Sequence, residues 1–319
     1  MMILFIISIL FLLLLLLNEY YYHIMLRNTQ EHKILRGLKG KYDCVAFGSS
    51  YGLYGISFPK ECNGFNFCIG GQFLYYTDKM LRDYITKCVK PGGSIFLVIA
   101  DLVFAEVGKG LYKPERYPLI LSKKSLGEEF SYLNYLRMRF PAFFSPQKIA
   151  RYLVKGSDNK YDKITENSLT YEKTLSMAKK RCSSWCRQFR LVDTLSGEIS
   201  SDLEQTFVKT RGILTGMIQY CLDDGYKPIL VVTPVSKAMN ECLSEEFVQK
   251  VLFDNIRLSN KQGVLFLNYL KDQRFQDISL YADNADFLNA KGRRLFTEIL
   301  VDDAFKSNNE DRDTNISSQ

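Results

Sequence analysis

Histidine is nearly absent from this 319-residue chain: His23 and His32 are the only two, and both lie close to the N-terminus. That scarcity leaves any site in the body of the protein without imidazole, the side chain most often used as a base near neutral pH. No second apolar run approaches the roughly 20 residues a bilayer crossing requires, which excludes a polytopic membrane protein. No internal repeat is visible, and no G-x-G-x-x-G follows the first strand, since Gly48-Ser-Ser-Tyr-Gly52 has the wrong spacing to seat a dinucleotide pyrophosphate. Among eight cysteines only Cys182 and Cys186 are close in sequence, and with no partner pair and no nearby His they make no zinc site. No metal or cofactor is expected.

What the chain does have is an apolar head. Met1 to Leu17 is interrupted only by Ser8, and Tyr20, Tyr21 and Tyr22 follow as an interfacial belt, so residues 1–26 are expected to be a transmembrane anchor. A cleaved signal fits less well, because no Lys or Arg precedes Arg27 and no A-x-A site follows. Residues 27–41 form a basic stalk, whose charges favour a cytoplasmic body under the positive-inside rule.

The remainder alternates between strand and helix signals. Asp43–Phe47, Phe65–Phe67, Ser94–Ile99, Pro228–Val232 and Val264–Leu267 read as strands, with Pro91-Gly92-Gly93 as a break before the third. Helices are expected over 75–89, 210–223, 244–258 and after Gly292, and the alternation implies an α/β fold, a three-layer α/β/α sandwich around a parallel sheet. Residues 307–319 are polar and expected to be disordered.

One segment departs from this rhythm. Residues 107–190 hold 18 Lys+Arg against 7 Asp+Glu, a net of +11 in a chain whose total is +7. The segment is expected to be mainly helical. Its aromatics interleave with Arg137, Arg139, Lys148 and Arg151, a pattern suited to a membrane surface or an anionic glycan, or to a helical cap with a solvated basic rim. Nucleic acid is not an expected partner, because no recognised module accompanies the charge.

The candidate chemistry lies in loops at strand ends. Ser50 follows the first strand, where a hydroxyl and its own backbone N–H suit a nucleophile and an oxyanion donor. Gly71 permits close backbone approach to an oxyanion, and Asn66 and Gln72 offer side-chain amides to it. The turn-glycine and satisfied-amide readings of these residues stand beside the functional ones.

The ordered motifs Asp43-Cys-Val-Ala-Phe-Gly-Ser-Ser50, Asn66-x4-Gly71-Gln72 and Asp286-Phe-Leu-Asn289-x2-Gly292 resemble those of the SGNH/GDSL hydrolases. The resemblance covers about residues 42–306, and is nearest to membrane-anchored members of bacterial cell-envelope polysaccharide modification. It implies a flavodoxin-like fold, Ser50 as nucleophile, Ser50 and Gly71 as oxyanion donors, and an esterase or acyltransferase acting on O-acyl groups of a surface glycan. It also implies a single-pass protein of the bacterial inner membrane with its domain outside the cytoplasm, against the charge rule, and with surface polysaccharide or its acylation machinery as partner. The match departs at the family's histidine, where this chain has Phe287. Asp286 or Asp283 would then have to act as base with a pKa raised by burial, or Lys237 if desolvated. The alternative is a degenerate site that binds a glycan or an assembly partner.

Overall fold

A computed structural model describes residues 2–21, 30–105, 114–144, 146–147, 170–282 and 285–316, with side chains up to residue 305. The chain divides into two compact units, Met1–Gly40 with Tyr112–Lys160, and Lys41–Leu111 with Tyr161–Gln319.

The first unit is built on α1 (Met2–Tyr20), a 19-residue helix with mean hydropathy 2.7. At about 1.5 Å per residue it is about 28 Å long, close to a hydrocarbon core. Length and apolarity meet the requirement for one bilayer span, a requirement a signal sequence near the N-terminus meets as well. Ser8 returns its hydroxyl to the Leu4 carbonyl at 2.9 Å, which removes the need for an outside partner. The unit continues with α2 (Gln30–Gly37), α5 (Lys123–Leu126), α6 (Tyr132–Arg139) and α7 (Pro141–Phe144). Ser122 and Ser131 cap α5 and α6 by accepting from the Ser125 and Asn134 amides.

The second unit contains a five-stranded, all-parallel sheet: β1 (Tyr42–Phe47), β2 (Gly64–Asn66), β3 (Val89–Ile99), β4 (Lys227–Val232) and β5 (Phe266–Asn268), in the order β2-β1-β3-β4-β5. Residues 94–99 and 228–232 are buried throughout, as parallel strands covered on both faces should be, which is why they are continuous apolar runs rather than alternating ones. The expected break at Pro91-Gly92-Gly93 is instead a bulge inside β3. Val89 pairs with Tyr42 and Ser94 with Cys44, so four residues are looped out opposite Asp43 before the ladder resumes.

Helices α3 (Ser50–Gly55), α4 (Leu74–Cys88), α8 (Tyr171–Phe189), α9 (Ser201–Asp223), α10 (Lys237–Asn240), α11 (Glu245–Val248), α12 (Asp254–Ser259) and α13 (Ala290–Ile316) complete the unit. A π-turn, Gln249–Phe253, joins α11 to α12 where one unbroken helix was expected. α4 packs on β1 and β3, α9 on β4 and α4, and α13 on α3 and β5. α13 runs on through residues 307–316 of the polar tail. The basic segment 107–190 is divided, since α8 belongs to this unit and α5 to α7 to the other. None of the eight cysteines forms a disulfide in the structure; six are buried, while Cys62, whose Sγ lies 3.2 Å from that of Cys44, and Cys186 are partly exposed. Burial pushes the Cys182 and Cys221 thiols up to about 12.

A crevice at the carboxyl ends of three strands

The sheet order changes direction between β1 and β3, and open α/β sheets place ligand sites at that switch, beyond the strands' carboxyl ends. A cavity of about 400 Å³ lies there. Its walls include Ser49, Ser50, Tyr51 and Tyr54 after β1, Gly70 to Phe73 after β2, Ala100 and Leu102 after β3, Arg181, Trp185 and Gln188 from α8, and Phe287 from the loop before α13.

The β1 loop can turn so sharply because Gly48 has no side chain. A Cβ there would sit 2.8 Å from the Val98 carbonyl and 2.9 Å from the Val98 Cβ. Ser50 then opens α3, and among the described residues its hydroxyl makes no hydrogen bond. The β2 loop turns at Ile69-Gly-Gly-Gln72, closed by the Gln72 amide donating to the Ile69 carbonyl at 3.2 Å, with Gly71 at φ +67°. This is the third position of a type II turn, which favours glycine. Ser50 and Gly71, the expected nucleophile and oxyanion loop, therefore share one cavity wall.

The two expected amide donors do not join them. Asn66 donates to the Gly52 and Ile56 carbonyls, each at 2.8 Å, and accepts from the Cys68 amide at 3.0 Å. Both its hydrogens are engaged in tying α3 to β2. Gln72 is buried and donates to the Thr77 hydroxyl at 3.0 Å and the Gly48 carbonyl at 3.4 Å. These amides hold the loops in place, and neither is left to meet an oxyanion.

A second wall, from α8 and Phe287, adjoins a charged cluster that spacing alone does not reveal. Asp286 is only 4% exposed and accepts from Arg181 Nε at 2.9 Å. Burial raises its pKa, and the Arg181 charge opposes the rise. Asp101, 5% exposed, accepts from the Tyr51 hydroxyl through Oδ2 at 3.0 Å, while its buried Oδ1 has no partner among the described residues. Desolvation, with a smaller contribution from the Asp286 charge, lifts the Asp101 pKa to about 7 against the pull of Tyr51 and Arg181. Phe287, the residue expected at the histidine position of the resembled motif, lies edge-on to Tyr51 at 5.4 Å and tilted against Tyr54 at 4.9 Å. The Arg181 guanidinium lies over the Trp185 ring at 5.4 Å and the Phe287 ring at 5.8 Å.

Of the other expected site residues, Lys237 is exposed and so is not desolvated. Asp283, Lys148 and Arg151 lie outside the described residues. Arg139 is not available to an outside anion in the way expected, because Glu19 pairs with it at 2.9 Å; Arg137 is exposed. Among the described residues no group of three or more His, Cys, Asp or Glu side chains is placed to hold a metal ion. No family model matches this sequence, and no curated protein matches it.

Proposed function

We propose that this chain is a membrane-anchored SGNH/GDSL-hydrolase-like protein of bacterial cell-surface polysaccharide modification, with the three-layer fold of that superfamily, whose crevice binds a glycan rather than cleaving it. The observation that carries this reading is the Arg181–Asp286 pair. A hydrolase lacking histidine would need Asp286 or Asp283 as a base, and although burial raises the pKa of Asp286, its carboxylate is already engaged by the Arg181 guanidinium at 2.9 Å. Phe287, the residue at the position where the resemblance implies a histidine, packs on Tyr51 and Tyr54 and offers no proton acceptor.

The walls that remain suit a sugar. Tyr54, Trp185 and Phe287 supply apolar ring surface, and Ser49, Ser50, Gln188 and Arg181 supply hydrogen-bonding groups around it. Trp185 is the only tryptophan in the chain, so its fluorescence reports this crevice without interference. Titration with O-acetylated and de-acetylated bacterial surface oligosaccharides is expected to give a saturable change in emission. Absence of any change, together with no heat of binding by calorimetry, would overturn the reading.

A second reading has its own support. The Ser50 hydroxyl has no hydrogen-bond partner among the described residues and shares the cavity with Gly71, the arrangement an esterase or acyltransferase of O-acyl groups would use. Covalent labelling by a fluorophosphonate, abolished in Ser50→Ala, would replace the binding reading with the catalytic one.

A further inference from the structure

We infer that the α6–α7 segment, Tyr132–Phe144, is a second membrane element, in which the turn at α7 enters the bilayer beside α1 and α6 lies along the interface with Arg137 at headgroup depth. The inference rests on α1 being a bilayer helix and concerns a surface that the crevice does not use.

The first observation is where α7 lies. Phe143 packs on Phe11 with ring centroids 5.8 Å apart, and Phe11 is midway along α1. At about 1.5 Å per residue Phe11 is about 13 Å from the Tyr20 end, inside the hydrocarbon of any bilayer that α1 crosses. Except for Asn18, every residue of α1 is unburied, so among the described residues nothing else sheathes the helix along its length.

The second observation is how the turn is satisfied. A chain reversal in lipid leaves backbone polar groups that no water can reach. Here Pro141 has no N–H to satisfy, and Asn18, fully buried, takes up the neighbours: its amide donates to the Arg139 carbonyl at 3.2 Å and its Oδ1 accepts from the Ala142 amide at 3.3 Å. The one buried residue of α1 is thus a polar side chain fitted to the α6–α7 turn. Arg139 and Glu19, paired at 2.9 Å, lie beside it near the Tyr20 end of the helix, at the depth where interfacial ion pairs belong.

The third observation is what the segment shows to its surroundings. Tyr132, Leu133 and Leu136 fall on one face of α6 and are exposed together with Phe144. Phe143 joins α7 to the apolar surface of α1, and lipid is the solvent that suits both that surface and the exposed face of α6.

The test uses the full-length protein reconstituted into vesicles of phosphatidylglycerol and brominated phosphatidylcholine, in a Trp185→Phe background. Phe144→Trp and Leu133→Trp are compared with Leu12→Trp as the α1 reference. The expected result is blue-shifted emission and loss of most of the intensity to brominated lipid for Phe144→Trp, approaching that of Leu12→Trp, with Leu133→Trp quenched as well. Unquenched, water-like emission at positions 144 and 133 while Leu12→Trp is quenched would overturn the inference. Failure of Leu12→Trp to be quenched would overturn it differently, by removing α1 from the bilayer. If Trp185→Phe does not fold, the same substitutions are made in the wild-type chain and read as differences from it.

Discussion

The two walls of the crevice are built on opposite plans. The wall after β1 and β2 is made of small residues at sharp turns, with the Ser50 hydroxyl unengaged and Gly71 in a conformation that leaves its backbone open. The wall from α8 and Phe287 is backed by buried charge: Asp286 accepts from Arg181, and Asp101 accepts from Tyr51 through one of its two oxygens. A hydrolytic site needs one group on each side to act on the other. Here one side resembles such a site while the other is organised around its own internal pairing, so the difference argues for binding. It also implies that perturbing the charged wall should cost stability in a pH-dependent way, whereas perturbing the small-residue wall should not.

The largest effect is expected at Asp101. Its pKa is 3.8 in the reference state and about 7 when folded, so between those values the native state retains a proton that the unfolded chain has released. Stability therefore falls as pH rises across that window, by at most about 4 kcal/mol from this group, and levels off above it. Asp101→Asn preserves an acceptor for Tyr51 and removes the ionisation. Denaturant unfolding from pH 4 to pH 7.5 should show that component of the slope abolished; an unchanged slope would mean that Asp101 is not the titrating group.

Arg181→Met comes next. It leaves Asp286 buried without its cation, and because Asp286 can take up a proton instead, the expected loss at neutral pH is about 2 to 3 kcal/mol rather than the full cost of an unpaired buried charge. Burial already raises the Asp286 pKa, and losing Arg181 raises it further. The deficit should therefore shrink as pH falls and the carboxyl protonates, and a pH-independent deficit would assign the loss to packing on Trp185 and Phe287 instead.

Smaller still is Gly71→Ala, where the positive φ makes a side chain cost about 1 kcal/mol, measurable as a lower denaturation midpoint with an unchanged slope. Ser50→Ala should change stability by no more than about 0.5 kcal/mol, because no hydrogen bond is lost. A large destabilisation there would break the contrast between the walls.

The small-residue wall was legible in the sequence because its signals are local. A buried strand running into Gly-Ser-Ser, or Gly-Gly before a helix, states its geometry within a few residues. The charged wall was not, because Tyr51, Asp101, Arg181 and Asp286 come from four separate places in the chain and meet only through the fold. Asn66 and Gln72 show a different limit. An amide near a catalytic loop reads the same whether its hydrogens face the crevice or the backbone, and here they tie α3 and the β2 loop together. The strands behaved likewise: apolar runs located β3 and β4, but which strands are neighbours, and that Pro91-Gly92-Gly93 is spliced into β3 by a bulge, depends on pairing that a single segment does not encode.

The sheltering of the thiols has a practical reach beyond packing. With six of eight cysteines buried, only Cys62 and Cys186 offer sulfur to a reagent in the folded α/β unit, and all eight do so once it unfolds. A membrane-impermeant maleimide applied to intact cells would therefore tag those two positions if the unit faces outward and none if it faces the cytoplasm. The same count in denaturant would register loss of the fold, so two cysteines act as markers of both sidedness and integrity.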